Sequence, residues 1–222
     1  MKFYRDGRGL YRVAAFDALD WLDYGFSTRA AAGWPPGPAA TVKQIHSNLC
    51  VHADGQTGVL GCADALTTST PGTWLAIRTA DCVPILIADQ RLRAVAAVHA
   101  GWRGTAANIS AAAVAEMRSL YGSRPEDLLA AIGPAICGEC YEVSAEVAAR
   151  FRPWFPERDD LDRTTTVDLA ETNRRQLIEA GLREAGIASG APCTFTETGD
   201  FYSYRRNPGE RGRMVAAIAV TA

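Results

Sequence analysis

WLAIRTADCVPILIADQRLRAVAAVHAGWRGT, the stretch from Trp74 to Thr105, decides how this chain folds. It holds three short apolar runs: Trp74 to Arg78, Val83 to Ala88 and Ala94 to Val98. Runs of this length, bounded by polar breaks, read as buried strands. After them, Ala106 to Tyr121 reads as an Ala-rich helix with Gly122 as its stop.

The same reading extends in both directions. Leu128 to Ile132 and Met214 to Val220 are further strands. Thr41 to Ile45 and Leu49 to Ala53 are either two strands or one strand interrupted at His46-Ser47-Asn48. Ser144 to Phe151 reads as a short helix. Asp168-Leu-Ala-Glu171 fits a capping box that opens a helix to about Ala180, with Gly181 where a stop belongs. Ala30 to Ala40, rich in Pro and Gly, is a loop, and Asn207 to Glu210 is a turn between two extended segments. Strands outnumber helices and do not alternate with them strictly. That order favours a mixed α+β layered fold over a doubly wound parallel sheet. A chain of 222 residues is read as a single domain, 1–222.

Composition narrows the function. With 23 basic and 25 acidic residues the net charge is −2, which offers no polyanion-binding surface. Nucleic acid and membrane are therefore not expected partners. The N-terminus, Met1 to Gly7, has no apolar core of a secretory signal. The longest apolar region, Trp74 to Ala88, is broken by Arg78, Asp81 and Pro84, short of the roughly 18 residues a membrane span needs. A cytoplasmic location follows as the expectation. Cysteines at positions 50, 62, 82, 137, 140 and 193 are then expected as reduced thiols, most of them small buried packers.

Chemistry gathers at His46, Cys82 and His99, each just beyond an expected strand. Strand ends converge when the strands are neighbours. Imidazole and thiolate suit zinc, and three protein ligands leave a fourth position open. Such a zinc lowers the pKa of its water to about 7. Two ordinary histidines and a buried Cys are the competing reading. His99-Ala-Gly-Trp-Arg-Gly-Thr105 leads into a helix, whose N-terminus with Arg103 can hold an anion; a tight turn with a packed Trp is the alternative. Asp81 can orient a ligand or carry protons, or serve as a turn Asp. Cys137-Gly-Glu-Cys140 lacks a second C-x-x-C and reads as structural or incidental. His52, Cys50, Cys62 and Cys193 receive only ordinary roles.

The motifs taken together resemble the YfiH-like family, known as the laccase-domain or multicopper polyphenol oxidase family and as purine nucleoside phosphorylases. The resemblance rests on Gly25-Phe-Ser-Thr-Arg29, Lys43-Gln-Ile-His46, Ala63-Asp-Ala-Leu66, Thr79-Ala-Asp-Cys-Val-Pro84 and His99 to Thr105. It continues through Ile132-Gly-Pro-Ala-Ile136, Tyr141-Glu-Val143, Asp168-Leu, Cys193-Thr194, Tyr202-Ser-Tyr-Arg205 and Gly212-Arg213. It implies a sandwich with mixed β-sheets inside and helices outside, similar to the catalytic domain of cytotoxic necrotizing factor. It places the family's metal ligands on His46, Cys82 and His99. The implied activities are phosphorolysis of purine nucleosides, including methylthioadenosine, and deamination of adenosine. Catalysis is expected from Cys82, Asp81 and His99, and substrate or phosphate binding from Arg29, Gln44 and Arg103. One zinc is the expected cofactor, with copper possible in its place. The partners are small molecules, a purine nucleoside and phosphate, and the chain is a monomer or small homo-oligomer.

Two other readings remain. A copper polyphenol oxidase fits the family's older name, but a copper cluster needs many imidazoles and the chain has 3 His. A cysteine hydrolase, with Cys82 as nucleophile and His99 as base, fits members that remove misincorporated serine from peptidoglycan precursors. Many members also carry a longer segment before the Gln-x-His motif, where this chain has only Ala30 to Lys43. That puts the substrate preference in doubt more than the metal site.

Overall fold

The run Val83 to Asp89 is buried at every position, so both faces of this strand are covered. Val83, Ile85 and Ile87 pack in one hydrophobic cluster, while Leu86 and Ala88 pack in another. The computed structural model describes residues 2–31 and 33–221 and shows what does the covering. In chain order its strands are β1 (Phe3–Arg5), β2 (Leu10–Val13), β3 (Leu22–Ser27), β4 (Ala39–Lys43), β5 (Cys50–His52), β6 (Gly58–Cys62), β7 (Ala65–Thr68) and β8 (Trp74–Thr79). They continue with β9 (Val83–Asp89), β10 (Val95–Ala100), β11 (Leu128–Ile132), β12 (Glu142–Val143), β13 (Thr165–Thr166), β14 (Ile187–Ala188) and β15 (Met214–Val220). The helices are α1 (Ala14–Asp17), α2 (Trp102–Ala106), α3 (Ile109–Tyr121), α4 (Ala145–Ala149) and α5 (Leu169–Glu179).

The fold is mixed α+β. A seven-stranded sheet runs β1-β2-β3-β15-β8-β4-β6, and a six-stranded sheet runs β14-β11-β9-β10-β7-β5. Both are mixed: β4 is parallel to β8 and β6, β5 to β7 and β11 to β14, among antiparallel neighbours. Leu75, Ile77 and Ile218 of the first sheet meet Leu66, Leu86 and Val95 of the second in one cluster. On the far side of the six-stranded sheet, Ile85, Ile87 and Val98 pack against Ile109, Ala113 and Met117 of α3 and Leu169 and Leu177 of α5. The two long helices therefore cover one outer face rather than both. Among the described residues no helix is long and apolar enough to cross a membrane.

The structure moves several expected boundaries. The 41–45 and 49–53 segments form β4 and β5, which lie in different sheets and are not one interrupted strand. The loop expected over Ala30 to Ala40 ends early because β4 begins at Ala39; Ala32 lies outside the described residues, as does Met1 of the N-terminal reading. The strand ending in Val98 runs on through His99, which pairs with Pro84 of β9. The helix expected from Ala106 starts instead at Trp102 and breaks at Asn108, whose φ is 61°. Asn is one of the few side chains that tolerates this left-handed conformation. Asp168 caps α5 by accepting from the Glu171 N–H at 2.8 Å. The return half of the capping box is replaced, because the Glu171 carboxylate binds Arg174 and Arg175. The turn at Asn207 to Glu210 is present, but the segment before it is irregular rather than extended.

Three helices, α2, α3 and α5, are joined by a buried polar knot. The Asn173 amide donates to Thr105 Oγ1 at 3.0 Å and to the Leu169 carbonyl at 2.7 Å, and its oxygen accepts from Ser110 at 2.5 Å. Gln176 donates to the Thr105 carbonyl at 2.7 Å. Asn173, Gln176, Thr105 and Ser110 are all fully buried. Removing one partner leaves the others unsatisfied away from water, at about 1–3 kcal/mol. Asn173→Ala is expected to destabilise the protein by about 2–4 kcal/mol, the lost bonds adding to a small cavity. Urea unfolding should show a lower midpoint at unchanged slope.

Candidate metal centre

Side-chain parity places the first ligand. Val95 and Ala97 of β10 point into the space between the sheets, so His99, two residues on, points there too. The other ligands come from points where the chain changes sheet. His46 lies between β4 and β5, and Cys82 lies between β8 and β9; each pair of strands straddles the two sheets. The connection from β6 to β7 is a third such crossing and carries Asp64.

One ligand atom from each of His46, Cys82 and His99 lies within 4.8 Å of the other two. The histidine rings meet edge-on, centroids 5.0 Å apart. His99 is buried, Cys82 half-buried and His46 exposed, so the cluster opens to solvent on one side. Asp64, with no exposed surface, accepts from His99 Nδ1 at 2.8 Å. A carboxylate can only accept, so His99 carries its proton on Nδ1 and turns Nε2 toward the cluster. Asp64 also accepts from the backbone N–H of Ile45, His46 and Ser47 and from the Ser47 hydroxyl. These bonds hold His46 at φ 60°, in the left-handed region.

The charges follow from this arrangement. Burial works against an ionised Asp64, but the bonds from His99 and Ser47 outweigh it and hold the carboxyl well below its usual range. Burial disfavours charge on His99 too, yet Asp64 and Cys82 beside it bring its pKa up to about 9. His46, an exposed residue whose ring is nonetheless partly desolvated at the cluster, is held below its ordinary value by that desolvation and by the charge on His99.

The donor set fits a borderline-soft ion such as zinc: two imidazoles and a thiol converge, one imidazole oriented by a carboxylate, as metal-binding histidines characteristically are. The close approach of the backbone supports the same reading. A Cβ on Gly101 would lie 2.5 Å from His46 Nδ1 and 3.1 Å from Cys82 Sγ. One on Gly104 would lie 2.9 Å from the Ser47 carbonyl. These two glycines, expected to free an anion-binding turn, are accounted for by packing against the ligand loop.

The cluster opens into a cavity of about 420 Å³ walled in part by Gln44, Arg78, Trp102, Tyr141, Tyr204, Arg205 and Arg213. The structure brings His46, Cys82, His99, Asp81 and Gln44 to it, but not Arg29 or Arg103. Arg29 donates to the Thr198 carbonyl at 3.0 Å and stacks on Tyr202. Arg103 lies over the Trp102 ring and faces a separate hollow. Gln44 uses its amide to pair with the Arg78 backbone, donating at 2.8 Å and accepting at 2.9 Å, which ties the end of β4 to β8. Asp81, at φ 85°, accepts from Thr194 and from the Arg205 N–H, both at 2.7 Å. Its two oxygens thus anchor the segment that carries Tyr204 and Arg205. Asp64 receives no role from the sequence alone; its signal is its place in the family stretch Ala63-Asp-Ala-Leu66.

The chain is similar to several known proteins. A family model described as multi-copper polyphenol oxidoreductase laccase matches residues 27–221. A protein named purine nucleoside phosphorylase from Deinococcus radiodurans is 44% identical over 196 residues, 86% of this chain and 74% of that one. One named adenosine deaminase RL5, from an unknown prokaryotic organism, is 37% identical over 96% of this chain and 89% of its own. The crystal structure of YlmD from Geobacillus stearothermophilus superposes with a TM-score of 0.87 at 28% identity, covering 99% of both chains.

Two substitutions probe the centre. Gly101→Ala has a permissive backbone, φ −72°, so its effect is steric. It should push His46 and Cys82 apart and weaken zinc binding, while the circular dichroism spectrum stays that of the parent. Asp64→Asn should lower zinc affinity about 10–100-fold by loosening His99. Competition with a chromogenic chelator reads both.

Proposed function

The chain belongs to the YfiH-like family described as multi-copper polyphenol oxidoreductase laccase, and from that premise we propose that it is a zinc-dependent enzyme acting on purine nucleosides. Phosphorolysis of nucleosides such as adenosine and methylthioadenosine is the proposed main reaction, with adenosine deamination beside it. The observation that carries this reading is the convergence of His46, Cys82 and His99 at a cavity with both aromatic and cationic walls. The names of the relatives, purine nucleoside phosphorylase and adenosine deaminase, support the same substrate class.

His46, Cys82 and His99 would hold the ion. Bound there, zinc would supply a Lewis acid to an oxygen of water or substrate. Asp64 keeps His99 in the tautomer that presents Nε2. Trp102, Tyr141 and Tyr204 offer flat surfaces for a purine, since stacking accepts any aromatic ring. Arg78, Arg205 and Arg213 offer the forked donors that phosphate binding requires, in place of Arg29 and Arg103. Asp81 acts as a positioning residue through Arg205.

A multicopper cluster does not fit these residues. The chain has 3 His, and His52 is not in the cluster; it meets the Tyr121 hydroxyl at 2.8 Å. A single copper in place of zinc is compatible with the donor set. A metal-free cysteine hydrolase has one observation in its favour, the Cys82 sulfur and a His99 ring nitrogen lying within 4.8 Å of each other.

Metal-replete protein with phosphate should release adenine from adenosine. Chelation should stop the reaction and added zinc restore it; His46→Ala should abolish it. Adenosine left unchanged would sink the reading, and activity that survives chelation but is lost in Cys82→Ala would install the hydrolase. Arg78 is exposed, so Arg78→Ala should leave the fold intact. It should raise KM for phosphate about 10-fold, as expected for one charged hydrogen bond, with less effect on KM for adenosine.

A further inference from the structure

The C-x-x-C turn has a third partner far along the chain. The sulfur atoms of Cys137, Cys140 and Cys193 lie within 4.8 Å of one another, and all three residues are half-buried. Cys193 is brought there by a parallel bridge to Ala135, with the Thr194 N–H donating to the Ala135 carbonyl at 2.9 Å. The turn closes through Cys140 N–H to the Cys137 carbonyl at 3.1 Å. Its Gly138 packs so tightly that a Cβ there would lie 2.7 Å from that of Asp168. None of the three cysteines lines the cavity, but Ile136 and Tyr141, which bracket the turn, both do.

We propose that Cys137, Cys140 and Cys193 form a second metal site, structural in role, which binds zinc through three thiolates and braces the cavity wall from behind. Backbone N–H donors already point at the sulfur. The Cys137 N–H donates to Cys193 Sγ at 3.2 Å. Three thiols this close suit a divalent cation, which on binding replaces the thiol protons, released to solvent, so that all three sulfurs carry charge together. A disulfide would employ two of the sulfurs and leave the third without a purpose. This proposal is independent of the reaction assigned to the cavity.

The test is metal counting in intact protein purified under reducing conditions and loaded with zinc. Wild type should hold two zinc ions per chain. Cys82→Ser, which disables the first centre, should hold one; adding Cys193→Ser should leave none. Cobalt in place of zinc should give a sulfur-to-metal charge-transfer band in Cys82→Ser that disappears with Cys193→Ser. If Cys193→Ser does not fold, the Cys82→Ser protein alone decides: zinc should shield three thiols from a disulfide reagent, and a chelator should expose them. Wild type with a single zinc that Cys82→Ser removes would overturn the proposal. So would an intact mass two hydrogens short, the mark of a disulfide within this cluster.

Discussion

The Asp64 carboxylate ties the loop that carries His46 to His99 on β10. It has no exposed surface and accepts from three consecutive backbone N–H groups, a hydroxyl and an imidazole. A buried carboxylate is tolerated only when its lone pairs are met, and here every donor belongs to the site. The same atoms therefore stabilise the charge, fold the loop that carries His46 and select the tautomer of His99. The loop cannot adopt another path without stranding the carboxylate. The carboxylate cannot be neutralised without releasing the loop.

The two-sheet architecture explains why this knot forms where it does. Three connections pass from the seven-stranded to the six-stranded sheet, before β5, before β7 and before β9. They carry His46, Asp64 and Cys82 respectively. A chain that crosses between packed sheets must turn sharply and leave backbone groups unpaired by either ladder. His46 and Asp81 meet that demand with positive φ, at 60° and 85°, and polar side chains complete the bonding. Positive φ at non-glycine residues is costly and persists where surrounding bonds over-determine it. The geometry that makes these turns difficult also points His46 and Cys82 at His99 on β10.

How much of this was legible in the sequence depends on what each residue's neighbours decide. β8, β9, β10, β11 and β15 were readable because burial on both faces turns a strand into an unbroken apolar run. β3 was not, since Leu22 to Ser27 mixes Asp, Tyr, Gly and Ser with apolar residues, although five of its six residues are buried. β6 was hidden for the opposite reason: it is an edge strand with exposed Val59, and no core imposes a pattern on it. His46, Cys82 and His99 could be picked out by residue type and family motif, because imidazole and thiolate are characteristic metal donors. A sequence does not record which way an exposed arginine points: Arg29 binds the Thr198 carbonyl and Arg103 lies over Trp102, while Arg78 and Arg205 line the cavity. Asp64 and Cys193 were missed because their meaning lies in partners distant along the chain: His99 is 35 residues from Asp64, and Cys137 is 56 from Cys193.

The two cysteine environments show how one chain can separate roles by ligand set. At the cavity, two imidazoles and one thiol give a centre with an open side, and the carboxylate behind His99 tunes it. Behind the cavity wall, three sulfurs with backbone N–H donors make a softer and more electron-rich set. Thiolate-rich sites bind zinc for structure, whereas mixed sites with a free position leave room for substrate. The turn between Ile136 and Tyr141 belongs to both arrangements. Tyr141 carries Arg205 on its ring, and Arg205 in turn donates its backbone N–H to Asp81, the residue beside Cys82. Tightening that turn would therefore fix the aromatic wall and the arginine as one body. The cavity's shape then depends on the sulfur cluster as directly as on the residues that face the substrate.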